Sequence, residues 1–124
     1  MTIDFEKGII TIDNVSFFNG FTFEDFKKTK FFDNQDGFHF INLKKDRIDE
    51  YDVYTSLFWC NEKLSGISLV LGKDNFTESD TKKAHDSFLE KHGINKEKVY
   101  EWGKVESVLD VKSGFPFIGF SYSI

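Results

Sequence analysis

The three histidines and the single cysteine are the residues whose chemistry could catalyse a reaction or bind a metal. His85 and His92 lie seven residues apart, which on a helix is two turns, or about 10 Å along the axis. A zinc ion holds its ligands at about 2 Å, so this pair is too widely spaced to chelate one metal together. His39 lies between Phe38 and Phe40 in a strand-like run, where a histidine that serves the fold is a simpler interpretation than a catalytic base.

Nucleophilic catalysis is poorly supported as well. Cys60 ends an apolar run, and an activated cysteine needs a helix N-terminus or nearby positive charge, of which Lys63 is the only source in the adjacent sequence. No serine lies in a Gly-x-Ser-x-Gly elbow, and the sequence contains neither a phosphate-binding glycine loop nor a His-Glu-x-x-His motif. We therefore predict no catalytic residue, no metal site and no cofactor, and we lean towards a role other than that of an enzyme.

The densest group of acidic residues lies in the stretch 46–52. Its spacing matches no calcium-binding loop. The interleaved Lys44, Lys45 and Arg47 favour a solvated loop, with an edge that binds another protein as the alternative. Tyrosines next to charged residues are typical of interface anchors. The candidate partner-binding residues are therefore Asp46, Asp49, Glu50, Tyr51, Asp52 and Tyr54.

Composition describes one acidic domain that is rich in aromatic residues. The chain has 124 residues, 16 of them phenylalanine, and a net charge of -5. We expect a single domain over residues 1–124 with one hydrophobic core. The acidic balance differs from that of a nucleic-acid-binding protein. No apolar run could span a membrane and no signal peptide is evident, and a single cysteine rules out an internal disulfide, so we interpret the chain as cytoplasmic.

Hairpins are predicted at both ends of the chain. Apolar and polar residues alternate within residues 3–5 and within residues 10–12, on either side of Lys7-Gly8. This pattern predicts two strands joined by a two-residue turn, with Phe5 opposite Ile10 and Ile3 opposite Ile12.

At the other end, residues 100–122 predict two strands around Lys112-Ser113-Gly114, closed by Val111 and Phe115. This register places Leu109 opposite Phe117 and predicts Phe117 to be a core residue. Because Pro116 cannot donate to a ladder, we expect a sheet edge or a bulge there.

Two helices are predicted between these hairpins. Thr22 is a good N-cap with Asp25 three residues later, and Phe23 and Phe26 should face inward. The second helix should run from Thr77 or Ser79 to His92 and stop at Gly93. Strands are expected at residues 38–43, 51–60 and 64–71, and the polar run 44–50 reads as a loop. The fold class is therefore α+β: one mainly antiparallel sheet in the order ββ-α-βββ-α-ββ, with both helices packed against it.

The second half of the chain resembles small uncharacterised bacterial proteins, some of which are suspected to be immunity proteins of toxin–immunity systems. The resemblance lies in strand and turn pattern. It consists of Phe58-x-x-Asn61-x-Lys63-Leu64-x-x-Ile67-x-Leu69 and Trp102-Gly103-x-Val105-x-Ser107-x-x-Asp110-x-Lys112-Ser113-Gly114-x-x-x-Ile118-x-Phe120-x-Tyr122. It implies a cytoplasmic, non-enzymatic protein that binds a toxin domain. We expect the chain itself to be a monomer or a weak dimer.

Two functions remain open at this point. In the first, the chain is a protein-binding domain whose acidic surface meets a basic partner such as a toxin domain, because opposite charge accelerates association. In the second, it is a small-molecule-binding or hydrolytic domain with an aromatic pocket. A deep pocket with perturbed titratable groups would favour the second, and a flat face with exposed aromatic side chains would favour the first.

Overall fold

The computed structural model describes residues 1–123, which form two antiparallel sheets and two helices. In chain order the elements are β1 (Thr2–Asp4), β2 (Ile9–Ile12), β3 (Val15–Phe17), α1 (Phe23–Lys27), β4 (Phe40–Asn42), β5 (Asp46–Ile48), β6 (Tyr51–Cys60), β7 (Lys63–Gly72), α2 (Glu78–Lys91), β8 (Glu97–Tyr100), β9 (Gly103–Leu109) and β10 (Pro116–Tyr122). The α+β class and the alternation of strand groups with helices are confirmed. Each of the three strand groups contains one strand more than predicted.

The larger sheet has seven strands, in the order β4-β6-β7-β10-β9-β8, with β5 pairing to β6 beside β4. The smaller sheet is the meander β1-β2-β3. The long hairpin β6–β7 brings residues 51–72 together, and the C-terminal strand β10 lies between β7 and β9. The last strand is therefore central in the sheet.

One face of the seven-stranded sheet forms the core. Its side chains alternate with outward-facing ones along each strand, as expected for a sheet with one buried face. Leu57, Leu69, Ile118 and Val105 are fully buried on neighbouring strands. Helix α2 packs over β7, β9 and β10. We call this side of the sheet the inner face and the opposite side the outer face.

Both helices begin with the same reciprocal cap. The Thr22 side chain accepts the N–H of Asp25, whose carboxylate accepts the N–H of Thr22. Thr77 and Asp80 make the same pair of bonds at the start of α2. These bonds satisfy donors that a helix start leaves unpaired, and each such cap contributes about 1 kcal/mol. The predicted starts of both helices are confirmed.

The C-terminal hairpin has a different register from the prediction. Leu109 pairs with Pro116, and Phe117 pairs with Val108. The closing pair is Asp110 and Phe115, because the N–H of Asp110 donates to the carbonyl of Phe115. Phe117 consequently lies on the outer face, half-buried, and the core residues are its neighbours Ile118 and Phe120.

The side chain of Asp110 accounts for this register. Its carboxylate accepts the N–H of Lys112 and the hydroxyl of Ser113, and its carbonyl accepts the N–H of Gly114. An aspartate that bonds to its own following backbone builds a turn by itself, so the loop is one residue longer than the spacing of Gly114 suggests.

The N-terminal hairpin is also shifted. Ile3 pairs with Ile10, and Phe5 lies in the turn, which is longer than two residues. Asp4 accepts the N–H of Lys7, and the N–H of Gly8 donates to the carbonyl of Phe5. These bonds hold the Phe5 ring over the core, where it stacks at 5.9 Å on Phe120.

The predicted sheet edge at Pro116 applies to its β7 side alone: the ladder between β10 and β7 begins at Ile118, whereas Pro116 pairs with Leu109 of β9. Pro116 is the first, buried residue of the central strand β10. Continuing the register of Leu69 and Ile118 would set Pro116 opposite Leu71. There the N–H of Leu71 donates to Nε2 of His85 in α2, at 2.9 Å. Helix α2 thus supplies an acceptor for a backbone N–H at the end of the β7–β10 ladder, which is a different role from that of the donor that proline lacks.

Candidate functional site

The six predicted partner-binding residues lie on the β5–β6 hairpin. The run 44–50 is partly a strand, since Asp46 begins β5 and pairs opposite Val53, and Ile48 is buried. Asp49 takes a positive φ of 51° in the tight turn. The stretch is therefore a rigid hairpin, and the prediction of a loop is wrong at residues 46–48.

All four acidic side chains of this hairpin already have cationic partners within the chain. Asp49 lies 3.2 Å from Lys91, and Asp52 lies 3.2 Å from Arg47. Asp46 pairs with the amino group of Met1, Glu50 with Lys73, and Asp52 also approaches Lys45 at 4.0 Å. Exposed ion pairs contribute little stability, but they cancel the local field. The hairpin therefore supplies less negative potential than its sequence suggests.

The two predicted tyrosines lie on opposite faces of the sheet. Tyr51 faces α2, where its ring contacts Phe76 at 6.5 Å and the Lys73 ammonium lies 5.4 Å from the ring centre. Tyr54 lies on the outer face and is 52% exposed. Asp52 also lies on the outer face, opposite Arg47 in β5. The predicted set is therefore divided, and only part of it could contact one partner surface.

The outer face around Tyr54 exposes further aromatic side chains. Phe40 and Phe58 face each other across β4 and β6, with ring centres 6.1 Å apart, and they are 55% and 40% exposed. Phe38, just before β4, is 59% exposed. We call Phe38, Phe40, Tyr54 and Phe58 the aromatic corner. Exposed large apolar groups that lie together on a surface are typical of interaction sites.

Small and polar residues continue the outer face from the aromatic corner towards the centre of the sheet. Ser56 pairs with Ser68, and Ser68 pairs with Gly119. Asn42 begins this row at the sheet edge, where its Oδ1 accepts the hydroxyl of Ser56 at 2.6 Å. Asn42, Ser56 and Ser68 therefore give a shallow, hydrogen-bonding surface beside the rings, whereas Gly119 is buried next to the ring of Phe117.

A cavity of about 560 Å³ opens beside β4. Phe38 and Phe40 supply apolar lining, and Gln35, His39 and Asn42 supply polar groups. The sequence predicts a strand over residues 38–43 but does not indicate a site there. The available signal was Phe38-x-Phe40, which the alternation of a strand places on one face, but the exposure of that face depends on the sheet topology.

The groups with strongly shifted pKa values lie in the core instead. Burial, together with the charge of Lys82, lowers the pKa of His85 to about 4. Burial raises the pKa of Tyr122, whose hydroxyl donates to the carbonyl of Gly8. His85 is fully buried under the sheet-facing side of α2. Both groups have a structural explanation, so neither indicates catalysis.

The remaining chemical candidates are dispersed. Cys60 is exposed at the end of β6. His92 caps α2 and contacts the rings of Phe5 and Phe88, with centres 4.9 and 5.0 Å away. Among residues 1–123, no three side chains of histidine, cysteine, aspartate or glutamate are grouped so that they could hold a metal ion.

Neither helix in this same part of the chain is both long enough and apolar enough to cross a membrane. Comparison with protein-family models, with curated proteins and with solved structures gives no match.

Proposed function

We propose that this chain is a non-enzymatic protein-binding domain that contacts its partner through the outer face of the seven-stranded sheet. The observation that supports this proposal best is the aromatic corner. Phe38, Phe40, Tyr54 and Phe58 are each at least 40% exposed; Phe38 lies just before β4, and the other three lie on the adjoining strands β4 and β6. Tyrosine and phenylalanine are enriched at interface centres, and rings held by a rigid sheet lose little conformational entropy on binding.

The more specific form of the proposal is a cytoplasmic immunity protein that neutralises a toxin domain. Two observations support it: the net charge of -5 and the strand and turn pattern of residues 58–122. A basic toxin domain would be attracted by the overall field of this chain, which accelerates association more than it strengthens the complex. Tyr54 of the predicted site is part of the aromatic corner, and Asp52, which is ion-paired with Arg47, lies beside it on the same face.

Co-expression tests this proposal. The chain is produced together with the toxin domain encoded beside it, and cell survival is measured. We expect survival with the native chain and its loss with the double variant Tyr54→Ala, Phe58→Ala. Phe18→Ala is the matched control, because Phe18 is as exposed as Phe58 but lies outside the seven-stranded sheet. Persistent toxicity with the native chain would refute the immunity proposal.

A second set of variants separates the two halves of the predicted site. Replacing Asp46, Asp49, Glu50 and Asp52 by Asn or Gln removes four acidic groups that are already ion-paired. We expect protection to survive this replacement. If a variant that remains folded loses protection, the binding site lies on the β5–β6 hairpin.

The cavity beside β4 favours an alternative, a small-molecule-binding domain. Its volume lies within the range of about 300–1,000 Å³ that is usual for ligand sites. If this alternative holds, adding a small aromatic or apolar compound at millimolar concentration should selectively shift the NMR resonances of Phe38, Phe40 and Asn42. Uniform or absent shifts would leave protein binding as the better interpretation.

A further inference from the structure

Among residues 1–123, no strand pairs with the outer edge of β4, so this free edge presents unpaired backbone groups. On its other edge β4 bonds to β6: the N–H of Leu43 donates to the carbonyl of Thr55, and the N–H of Trp59 donates to the carbonyl of His39. Residues 39, 41 and 43 therefore direct their backbone groups towards β6. By the alternation of a strand, Phe40 and Asn42 direct theirs away from the sheet.

We propose that the β4 edge pairs with the β4 edge of a second copy of this chain, antiparallel and centred on Ile41. In this register Phe40 of each copy lies opposite Asn42 of the other. Each such pair exchanges both its N–H···O bonds, which is the closely spaced pair of an antiparallel ladder. The set of free groups is thus self-complementary, as a two-fold interface requires.

The charges that flank β4 are complementary in the same antiparallel arrangement. Acidic Asp33 and Asp36 precede the strand, and basic Lys44 and Lys45 follow it. An antiparallel pair brings the acidic end of one copy to the basic end of the other. Lys44 is exposed and has no ion pair among residues 1–123, and Asp36, although paired with Lys27 at 3.3 Å, keeps 61% of its side-chain surface exposed. This complementarity favours a second copy over an unrelated strand.

Pairing would also cover apolar surface. Phe38 and Phe40 of each copy, which border the cavity beside β4, would contact the other copy instead of water. The two outer faces would become continuous, and two aromatic corners would adjoin. This inference stands apart from the proposed function, because self-pairing needs no other protein.

The expected dimer is weak, because β4 is only three residues long. An interface of this kind falls below the size of stable dimers, and a dissociation constant of about 10 µM to 1 mM is reasonable. Sedimentation velocity over that concentration range measures it. We expect a reversible monomer–dimer equilibrium, with the amide exchange of Phe40 and Asn42 slowing as the dimer forms. A chain that stays monomeric up to about 1 mM overturns the proposal.

Variants locate the interface. Asn42→Pro removes an N–H that faces the free edge, so it should abolish the dimer, whereas Asn42→Ala should retain it. Lys44→Glu alone and Asp36→Lys alone should each weaken the dimer about tenfold, and an equimolar mixture of the two should recover association as a heterodimer. This mixing experiment tests the β4 interface even if Asn42→Pro fails to fold. A dimer unaffected by Lys44→Glu and Asp36→Lys would lie elsewhere and would refute the β4 interface.

Discussion

At the scale of single residues, two polar contacts join the ends of the chain. The indole N–H of Trp102 donates to the carbonyl of Phe5, and the hydroxyl of Tyr122 donates to the carbonyl of Gly8, both at 2.9 Å. Both bonds are buried and fix the first turn of the chain on the C-terminal hairpin. A buried carbonyl without such a partner costs about 1–3 kcal/mol, so the aromatic residues at 102 and 122 do more than fill volume.

Gly8 shows how tightly this contact is built. Its φ is +67°, and a Cβ atom there would overlap the ring of Trp102. We expect Gly8→Ala to lower the free energy of unfolding by about 3 kcal/mol or more, from backbone strain and overpacking together. Gly93→Ala is the control, because Gly93 has a similar φ of +78° but open space around it. Its cost should be about 1 kcal/mol in urea denaturation. Equal losses would show that the contact with Trp102 has no effect.

His85 predicts a stability that depends on pH. Its folded-state pKa of about 4 lies below the ordinary 6.5, because burial opposes the charged form. The unfolded state therefore binds more protons between these values. The stability contribution is complete above pH 6.5 and is lost as the pH falls towards 4, by about 3 kcal/mol in all.

His85→Gln tests this dependence, because glutamine offers an acceptor for the N–H of Leu71 but does not titrate. Urea denaturation between pH 4 and 7 should show a steeper loss for the native chain than for this variant. Parallel pH profiles would contradict the assignment to His85.

At the scale of elements, the sequence predicts what depends on local bonds and fails where a side chain builds an unforeseen turn. Both helix starts follow from Thr–x–x–Asp capping, which acts within four residues. The registers of the two terminal hairpins depend on Asp4 and Asp110, whose carboxylates extend the turns. A one-residue shift changes which side chains of β9 and β10 share a face, so the core residue is Phe120 and the predicted Phe117 lies on the outer face.

The aromatic corner could not be predicted for a related reason. Phe40 and Phe58 are apolar residues in strands, which usually indicates a core position. Their exposure follows from the placement of both helices on the inner face and from the pairing of β4 with β6 at the edge of the sheet. This is a property of sheet topology, which the local pattern of apolar and polar residues does not reveal. The ion pairs that neutralise the β5–β6 hairpin could not be predicted either, because Lys73 and Lys91 lie far in the sequence from the acidic residues that they contact.

The corrected register gives an element-scale prediction. Phe120 is buried and stacks on Phe5 and Trp102, whereas Phe117 is half-buried on the outer face. We expect Phe120→Ala to cost about 3–5 kcal/mol and Phe117→Ala clearly less, because only the first leaves a core cavity. Urea denaturation of both variants measures the difference. A larger loss of stability for Phe117→Ala than for Phe120→Ala would support the register predicted from the sequence.

At the scale of the whole molecule, the core joins both sheets. Buried residues from the small sheet, such as Ile10 and Phe17, belong to the same hydrophobic cluster as Leu57 and Ile118 of the large sheet. A single cluster over residues 1–123 supports the expectation of one domain, and a chain of this size with one core should unfold in one cooperative step. The two tryptophans are placed to test this.

Trp59 and Trp102 report on separate regions of that cluster. Trp59 contacts Phe21, Phe23 and Phe26 near α1, and Trp102 contacts Phe120 and Tyr122 near the C-terminal hairpin.

In the variants Trp59→Phe and Trp102→Phe, the fluorescence of the remaining tryptophan follows one region alone. Within each variant, the urea transition seen by fluorescence should coincide with that seen by far-ultraviolet circular dichroism, although the midpoints of the two variants will differ. Trp102→Phe also loses the hydrogen bond to Phe5 and should therefore be the less stable of the two. If one region melts before the secondary structure is lost, the two sheets unfold separately, and the chain contains two cooperative units.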